Sequence, residues 1–431
     1  MRRAILVVCD SLRADMIEPA IAPTLSSLAE EGTHYTGVHG VFPSVTRVTS
    51  ASIATGCHPG RHGLLGNTMA IDEGRGLVCL SVGKPDFRER LRRATGRTLH
   101  RPTLAQRLAG HGAAIVMSNV SPGAAYFQDP DGFGHVYHRA GSFEPGLRPV
   151  ADRDHLDIQL GEAGDAVMTT RFCDEVLRDR RPALGVLWLS EPDHTGHHSP
   201  LGSPAHRAAI AAADRCVARV LALARELRAA GDEVLLLVCS DHGMETTRRT
   251  IDLDALLVEA GLKAAPDSTE VVVAPNGTAA VLYRASQARA SADDLAGFVG
   301  AQDWAGRVLV GAELEAVGLT AAAPVACAVT LRTEDAPNPF GVRGLGDIVR
   351  NSSEPTDYTG FGQHGGLGPN EQRPFLLAWG GGFAERTAVD TPVCHVDIAP
   401  TILDHLGLLD GRAASEMDGR PLLAHSTAGA K

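Results

Sequence analysis

Three things are missing from this chain, and each absence removes a class of function. No uninterrupted apolar run approaches the ~20 residues that a membrane-spanning helix needs. The first apolar run, AILVVC at residues 4–9, stops at Asp10 and Ser11, which is too short for the apolar region of a secretory signal. There is no excess of positive charge. Forty Lys+Arg stand against 51 Asp+Glu, a formal net charge of -11, the wrong sign for a general binder of nucleic acid or of anionic membranes. A small anionic substrate stays open, because local arginine or metal charge can outweigh the global sign. Finally, the eight cysteines form no Cys-x-x-Cys pair, which argues against the usual paired-thiol metal and redox motifs. Cys9 and Cys239 lie inside apolar runs, where a reduced thiol packs as a small hydrophobe. Repeats and low-complexity tracts are absent as well. The expectation is a soluble, cytoplasmic protein that binds neither a membrane nor a nucleic-acid polymer.

What is present is a regular alternation. With 431 residues, 44% of them hydrophobic, the chain can bury a large core and hold a main domain plus an insertion. Buried-strand runs recur at 4–9, 113–118, 184–190, 233–240 and 374–380, and helical patterns lie between them at 22–32, 103–112 and 203–231. Strands alternating with helices predict an α/β fold around a mostly parallel sheet. Residues 245–360 differ in texture, with short strand-like runs (EVVVAP, AAVLY, RVLVG), one helix and a Pro/Gly-rich exit. They read as an inserted smaller lobe, leaving 1–244 and 361–431 as the core.

Functional residues of parallel sheets gather beyond the carboxyl ends of the strands. The first strand here ends in Asp10, the third leads into EPDHTGHH (191–198), and the fourth runs into SDHGM (240–244); GFGQHGG (360–366) precedes the last strand. Singly, each piece reads as a cap or turn. Together, Asp10, Asp193, His197, Asp241, His242 and His364 supply three carboxylates and three imidazoles. That is a ligand set for two borderline divalent ions, Zn²⁺ first and Mn²⁺ second. Two such ions ~3.5–4 Å apart hold the attacking and leaving oxygens of an in-line phosphoryl displacement. The stretch VFPSVTRVTSASIATG (41–56) adds hydroxyls at the mouth of a helix, where an anion is favoured. Of these, Thr46 is a candidate nucleophile, and a hydroxyl needs such activation at neutral pH.

Taken in order, VVCDSLRAD, FPSVT…TG, HPGRHGLLGN, EPDHTGH, SDHGM and QHGG, with HVDIAPTILDHLGL near the end, resemble the alkaline phosphatase superfamily, and within it the nucleotide pyrophosphatase/phosphodiesterase branch. The resemblance spans residues 4 to about 408 and implies an alkaline-phosphatase-like sheet with helices on both faces. It implies Thr46 as a nucleophile that becomes a covalent phospho-threonine. One metal falls to Asp193, His197 and His364, and the other to Asp10, Asp241 and His242 with Thr46 as an added ligand. It also implies a small anionic phosphorus-containing substrate; the oligomeric state stays undetermined.

Two positions depart from the pattern. The resemblance puts an asparagine, donating to a nonbridging phosphoryl oxygen, three residues after the nucleophile; this chain has Thr49, whose hydroxyl can donate one bond. An aromatic residue is expected directly after the nucleophile; this chain has Arg47, either a solvated helix-start residue or a contact to an anionic substrate. The segment CHPGR (57–61) imitates the modified cysteine motif of sulfatases. Its register is wrong, since the nucleophile position nine residues before Thr55 is Thr46. The reading is a two-metal hydrolase of phosphodiester or pyrophosphate bonds. The alternatives are a carbon–phosphorus hydrolase of the phosphonoacetate type, a phosphomonoesterase, a phosphoryl-transfer mutase and a non-catalytic binding protein.

Overall fold

The structure is a computed structural model that describes residues 1–352 and 356–422; residues 353–355 of the expected lobe and 423–431 of the expected core lie outside the described part. Its centre is a ten-stranded sheet. Strand Arg2–Cys9 lies in the middle, parallel to Leu184–Leu189 on one side and to Glu233–Cys239 on the other. Ala114–Ser118 extends the sheet in parallel beyond Leu184–Leu189, and Leu376–Gly380 closes the other side antiparallel to Glu233–Cys239. The sheet is therefore mostly parallel.

The strand sequences explain this placement. Seven of the eight residues of Arg2–Cys9 are buried, and a strand apolar on both faces needs cover on both. Ile5, Val7 and Cys9 point into one apolar cluster, formed with the helices Pro23–Glu31, Glu162–Arg171 and Pro204–Ala229. Ala4, Leu6 and Val8 point into a second, formed with the helix Ile398–Leu406 and with Ile53. Helices thus cover both faces of the sheet. The 26-residue helix Pro204–Ala229 starts where Ser203 accepts a hydrogen bond from the His206 N–H, an ordinary N-cap. The helix expected over 103–112 is shorter, Leu104–Arg107, since Gly110 and Gly112 adopt positive φ and end it.

The segment 245–360 contributes two four-stranded sheets, one of them closed by Gly362–Gln363 from just beyond it. Its described residues form three helices, Leu253–Glu259, Ala292–Gly300 and Ala312–Ala316, where the sequence pattern suggests one. It also does not pack alone. The hairpin of Thr68–Asp72 and Leu77–Ser81, with Phe87 and Phe127, shares a core with Val272, Val281 and Leu309. Turn-rich loops hid that long-range packing from any local reading.

One buried carboxylate ties two of the covering helices together. Asp214, inside the long helix, accepts the Thr24 and Leu25 N–H groups at 3.1 and 2.8 Å. It serves as the cap that Ala22 cannot provide for Pro23–Glu31. We expect Asp214→Ala to cost about 1–2 kcal/mol, the usual worth of a lost cap, seen as a lower urea midpoint in a protein that still folds. An unchanged midpoint would show that water caps the helix equally well.

Candidate active site

The aligned ends of the three central strands bring the chemistry together. Asp10 follows the first strand, and its carbonyl accepts the N–H of Asp193, beyond the strand beside it, at 3.2 Å. Asp241 and His242 follow the strand on the other side. His364 and His197 come in from outside the sheet. Nε2 of His197 and of His364 stands 3.3 and 3.6 Å from Asp193 Oδ1. His242 Nε2 lies 3.0 Å from Asp241 Oδ2 and 3.7 Å from Asp10 Oδ1. The rings of His242 and His364 stack with centroids 3.7 Å apart. Two groups have mutually close ligand atoms: Asp10, Asp241 and His242, and Asp193, His242 and His364. His242 therefore borders both, where the resemblance assigns it to one.

Hydrogen bonding aims each imidazole. Nδ1 of His197 contacts the Gly362 carbonyl at 2.9 Å, and Nδ1 of His364 contacts the Ser44 carbonyl at 2.9 Å. A carbonyl only accepts, so Nδ1 carries the hydrogen and Nε2 presents its lone pair to the cluster. The carboxylates are held from behind in the same way. Trp188 donates its indole N–H to Asp10 Oδ2, and the Ser11 N–H donates to Asp241 Oδ1, both at 3.0 Å.

The opposite oxygens, Asp10 Oδ1, Asp193 Oδ1 and Asp241 Oδ2, are buried and make no hydrogen bond to any described residue. Buried oxygens of this kind are costly to leave without a partner. Burial, then the repulsion of Asp241 and Asp193, pushes the Asp10 carboxyl well above the usual carboxylate range. Burial works the same way on Asp193, but the adjoining His197 outweighs it by charge and hydrogen bond and holds its carboxyl below that range. Burial and the neighbouring His242 drive the His364 imidazole far below its ordinary value, which keeps it a neutral donor. The mixture of oxygen and imidazole nitrogen fits divalent zinc or manganese.

A single acid fixes the His364 loop. Glu371, fully buried, accepts the N–H groups of Gly365 and Gly366 on Oε2 at 2.7 and 2.9 Å, and that of Gly368 on Oε1 at 2.8 Å. Gly365 has φ +136°, and a Cβ there would lie 1.7 Å from the Asn276 carbonyl oxygen. The segment 245–360 is thus pressed against the residue next to His364. Sequence reasoning overlooked Glu371; its signal was a lone acid closing the glycine-rich run QHGGLGPNE.

Thr46 is the first residue of the helix Thr46–Thr55, and its Oγ1 lies 3.2 Å from His242 Nε2. The other hydroxyls of this stretch are engaged elsewhere. Ser44 donates to the Gly366 carbonyl, Ser50 to the Ala124 carbonyl, and Ser52 meets His62 Nε2. Thr49 does not reach the cavity: it is fully buried, and its hydroxyl points to the Asp241 carbonyl at 3.5 Å. One turn along a helix that enters the core, it faces the sheet rather than the substrate side. Of the asparagines on the cavity wall, Asn67 is the one tied to the start of this helix: its Oδ1 accepts the Arg47 N–H at 3.3 Å, leaving its Nδ2 end for the cavity. It is the last residue of HPGRHGLLGN, and only folding brings it beside Thr46. Arg47 lines the cavity, with Nε on Ser121 Oγ at 3.0 Å and Nη1 on the Asn67 carbonyl at 2.9 Å. Cys57 is buried past the far end of the ten-residue helix, about 15 Å along its axis from Thr46 at 1.5 Å per residue, and burial raises its thiol pKa.

A cleft of about 590 Å³ opens over Thr46, Asp10, Asp193 and His364. Residues 4–303 match the family described as type I phosphodiesterase/nucleotide pyrophosphatase. The chain belongs to that family, and with it to the alkaline phosphatase superfamily. Two solved structures of murine ectonucleotide pyrophosphatase/phosphodiesterase 5 share the fold. One is an inactive threonine-to-alanine form in complex with AMP, with 18% identity, TM-score 0.67, and 95% of this chain and 96% of that chain covered. The other gives 17% identity, TM-score 0.64 and the same coverage. No curated protein matches the sequence.

We expect protein purified without chelator to carry about two divalent ions per chain by elemental analysis, as the two-metal arrangement requires. Chelation should lower the unfolding temperature, since a cation that binds only the folded state stabilises it. Metal-free protein that melts no earlier and still turns over substrate would refute the assignment.

Proposed function

We propose that this member of a family of phosphodiester and pyrophosphate hydrolases works through Thr46 as nucleophile and two divalent cations. The observation that carries this is Thr46 Oγ1, at the first position of its helix, 3.2 Å from His242 Nε2 and facing the buried carboxylates. Asp193, His197 and His364 would hold one ion, and Asp10, Asp241 and His242 the other. When bound, the ions supply positive charge for the attacking and leaving oxygens of an in-line displacement.

The chain's own residues do the rest. The helix start favours the negative charge that builds on the phosphoryl group. Thr46 Oγ1 forms a bond to phosphorus as the bond to the leaving oxygen breaks, giving a phospho-threonine; water then attacks phosphorus and frees Thr46. The Nδ2 end of Asn67 is placed to donate to a nonbridging oxygen, the part that Thr49 was expected to play. The Nδ1–carbonyl bonds of His197 and His364 keep both rings from turning during the reaction. The murine neighbour supports this reading, since its inactive form lacks a threonine and holds a nucleoside monophosphate.

We expect Thr46→Ala to reduce turnover of an aryl phosphodiester by several orders of magnitude while metal content stays near the wild-type value. Acid quenching of the wild type during turnover, followed by phosphopeptide mapping, should place phosphate on Thr46. Phosphate on Ser44 or Thr49, or near-native turnover in Thr46→Ala, would refute the role.

A further inference from the structure

A second arginine enters the same cavity from a loop that the sequence reading left unassigned. Arg139 lines the cleft together with Arg47, Val120 and Ser121. Its Nη1 donates to the Asn119 and Val120 carbonyls at 2.8 and 2.9 Å, and to Asn119 Oδ1 at 3.3 Å. Every bond from this guanidinium to the described residues leaves from Nη1, which also lies 3.3 Å from His138 Nε2. The Nε/Nη2 edge, the one suited to two parallel bonds with an oxyanion, has no acidic partner among the described residues. The acid that acts on Arg139 is Asp165, and its oxygens are occupied by the N–H groups of Ser190 and Glu191 and the amide of Asn119.

The contrast with the other cavity arginine outside this corner is direct: Arg350 is paired with Asp252 at 2.9 Å. Arg139 and Arg47 are anchored on adjacent residues of one loop, Val120 and Ser121. That loop leaves the carboxyl end of the strand Ala114–Ser118, and Arg47 directly follows Thr46. Two cations on one short loop, one of them half-buried with its bidentate edge unused, suit an anion in the cleft.

We propose that Arg139, with Arg47, forms a second anion site beside Thr46, so that the preferred substrate carries an oxyanion, a carboxylate or a further phosphoryl group, in addition to the phosphoryl group that reacts. This rests on the phosphoryl hydrolase reading and narrows its substrate class.

The test is calorimetric binding to the metal-loaded, full-length protein. Ethanesulfonate mimics the reacting group alone. Sulfoacetate adds a carboxylate, and sulfomethylphosphonate adds a phosphonate. Wild type should bind at least one of the two larger anions about tenfold or more tightly than ethanesulfonate, as a charge-assisted pair predicts. An advantage for sulfoacetate identifies a carboxylate, and one confined to sulfomethylphosphonate identifies a phosphoryl group. Arg139→Gln should erase the advantage, and Arg139→Lys, which keeps the charge without the fork, should retain part of it. A purely structural role would weaken all three ligands alike and leave the ratio unchanged. No advantage in wild type, or one that survives Arg139→Gln, overturns the proposal. Hydrolysis of 4-nitrophenyl ethyl phosphate is followed on the same samples. Absence of hydrolysis both of this diester and of aryl esters that carry a second carboxylate or phosphoryl group would refute the hydrolase reading, whereas the ratio of affinities judges the anion site alone.

Discussion

The arrangement depends on one electrostatic conflict. Asp10, Asp193 and Asp241 direct three hydrogen-bond-free oxygens into one buried volume. Like charges held close in a poorly solvated place repel strongly, and desolvation adds to the cost. Among the described residues the groups that face these oxygens are the imidazoles of His197, His242 and His364. Around this point the structure is stiff: Trp188 and the Ser11 N–H hold two of the carboxylates from behind, and backbone carbonyls hold the imidazoles. A polypeptide that fixes its ligands so firmly in a repulsive geometry has a site ordered for cations before they arrive, which is what preorganised electrostatic catalysis requires.

The sheet makes that stiffness possible. Its three central strands are in register from Ala4 with Leu184 to Cys9 with Leu189, and from Arg2 with Glu233 to Val8 with Cys239. Their ends form a shelf on which Asp10, Asp193 and Asp241 sit as neighbours. At the other end of the same strands Arg3, almost fully buried, pairs with Asp232 at 3.2 Å. The apolar faces between are covered by helices on both sides, so the shelf cannot flex without opening the core.

Much of this could be read before folding. A strand that is apolar throughout must lie inside a parallel sheet, and acids and histidines immediately after such strands must meet at one edge. That logic located Asp10, Asp193, Asp241 and His242, and the Thr-Gly spacing singled out Thr46. What could not be read were the contributions of turns. Asn67 lies 21 positions from Thr46 in the chain and reaches it only because the hairpin beyond packs on the lobe. Arg139 depends on a loop without periodicity. Thr49 does not reach the cavity although three positions along a helix keep nearly the same face; the rise of about 4.5 Å from Thr46 carries its side chain into the core, where its hydroxyl meets the Asp241 carbonyl. Glu371 orders a glycine loop by accepting its N–H groups, a role with no sequence spacing of its own.

The lobe is more than a cover. The Asn276–Gly277 turn lies against His364 and Gly365 so closely that a Cβ on Gly277 would come within 2.0 Å of the His364 carbonyl oxygen. Thr278 from the same turn donates its hydroxyl to Glu371 at 2.5 Å and accepts the Gly366 N–H at 2.8 Å. The residue that brings His364 into the cluster is thus clamped between lobe and core. The same turn therefore sets the position of the His364 ring, whose Nε2 lies 3.6 Å from Asp193 Oδ1. The loop that carries His364 and the turn that carries Thr278 are thus held together through one buried acid, Glu371.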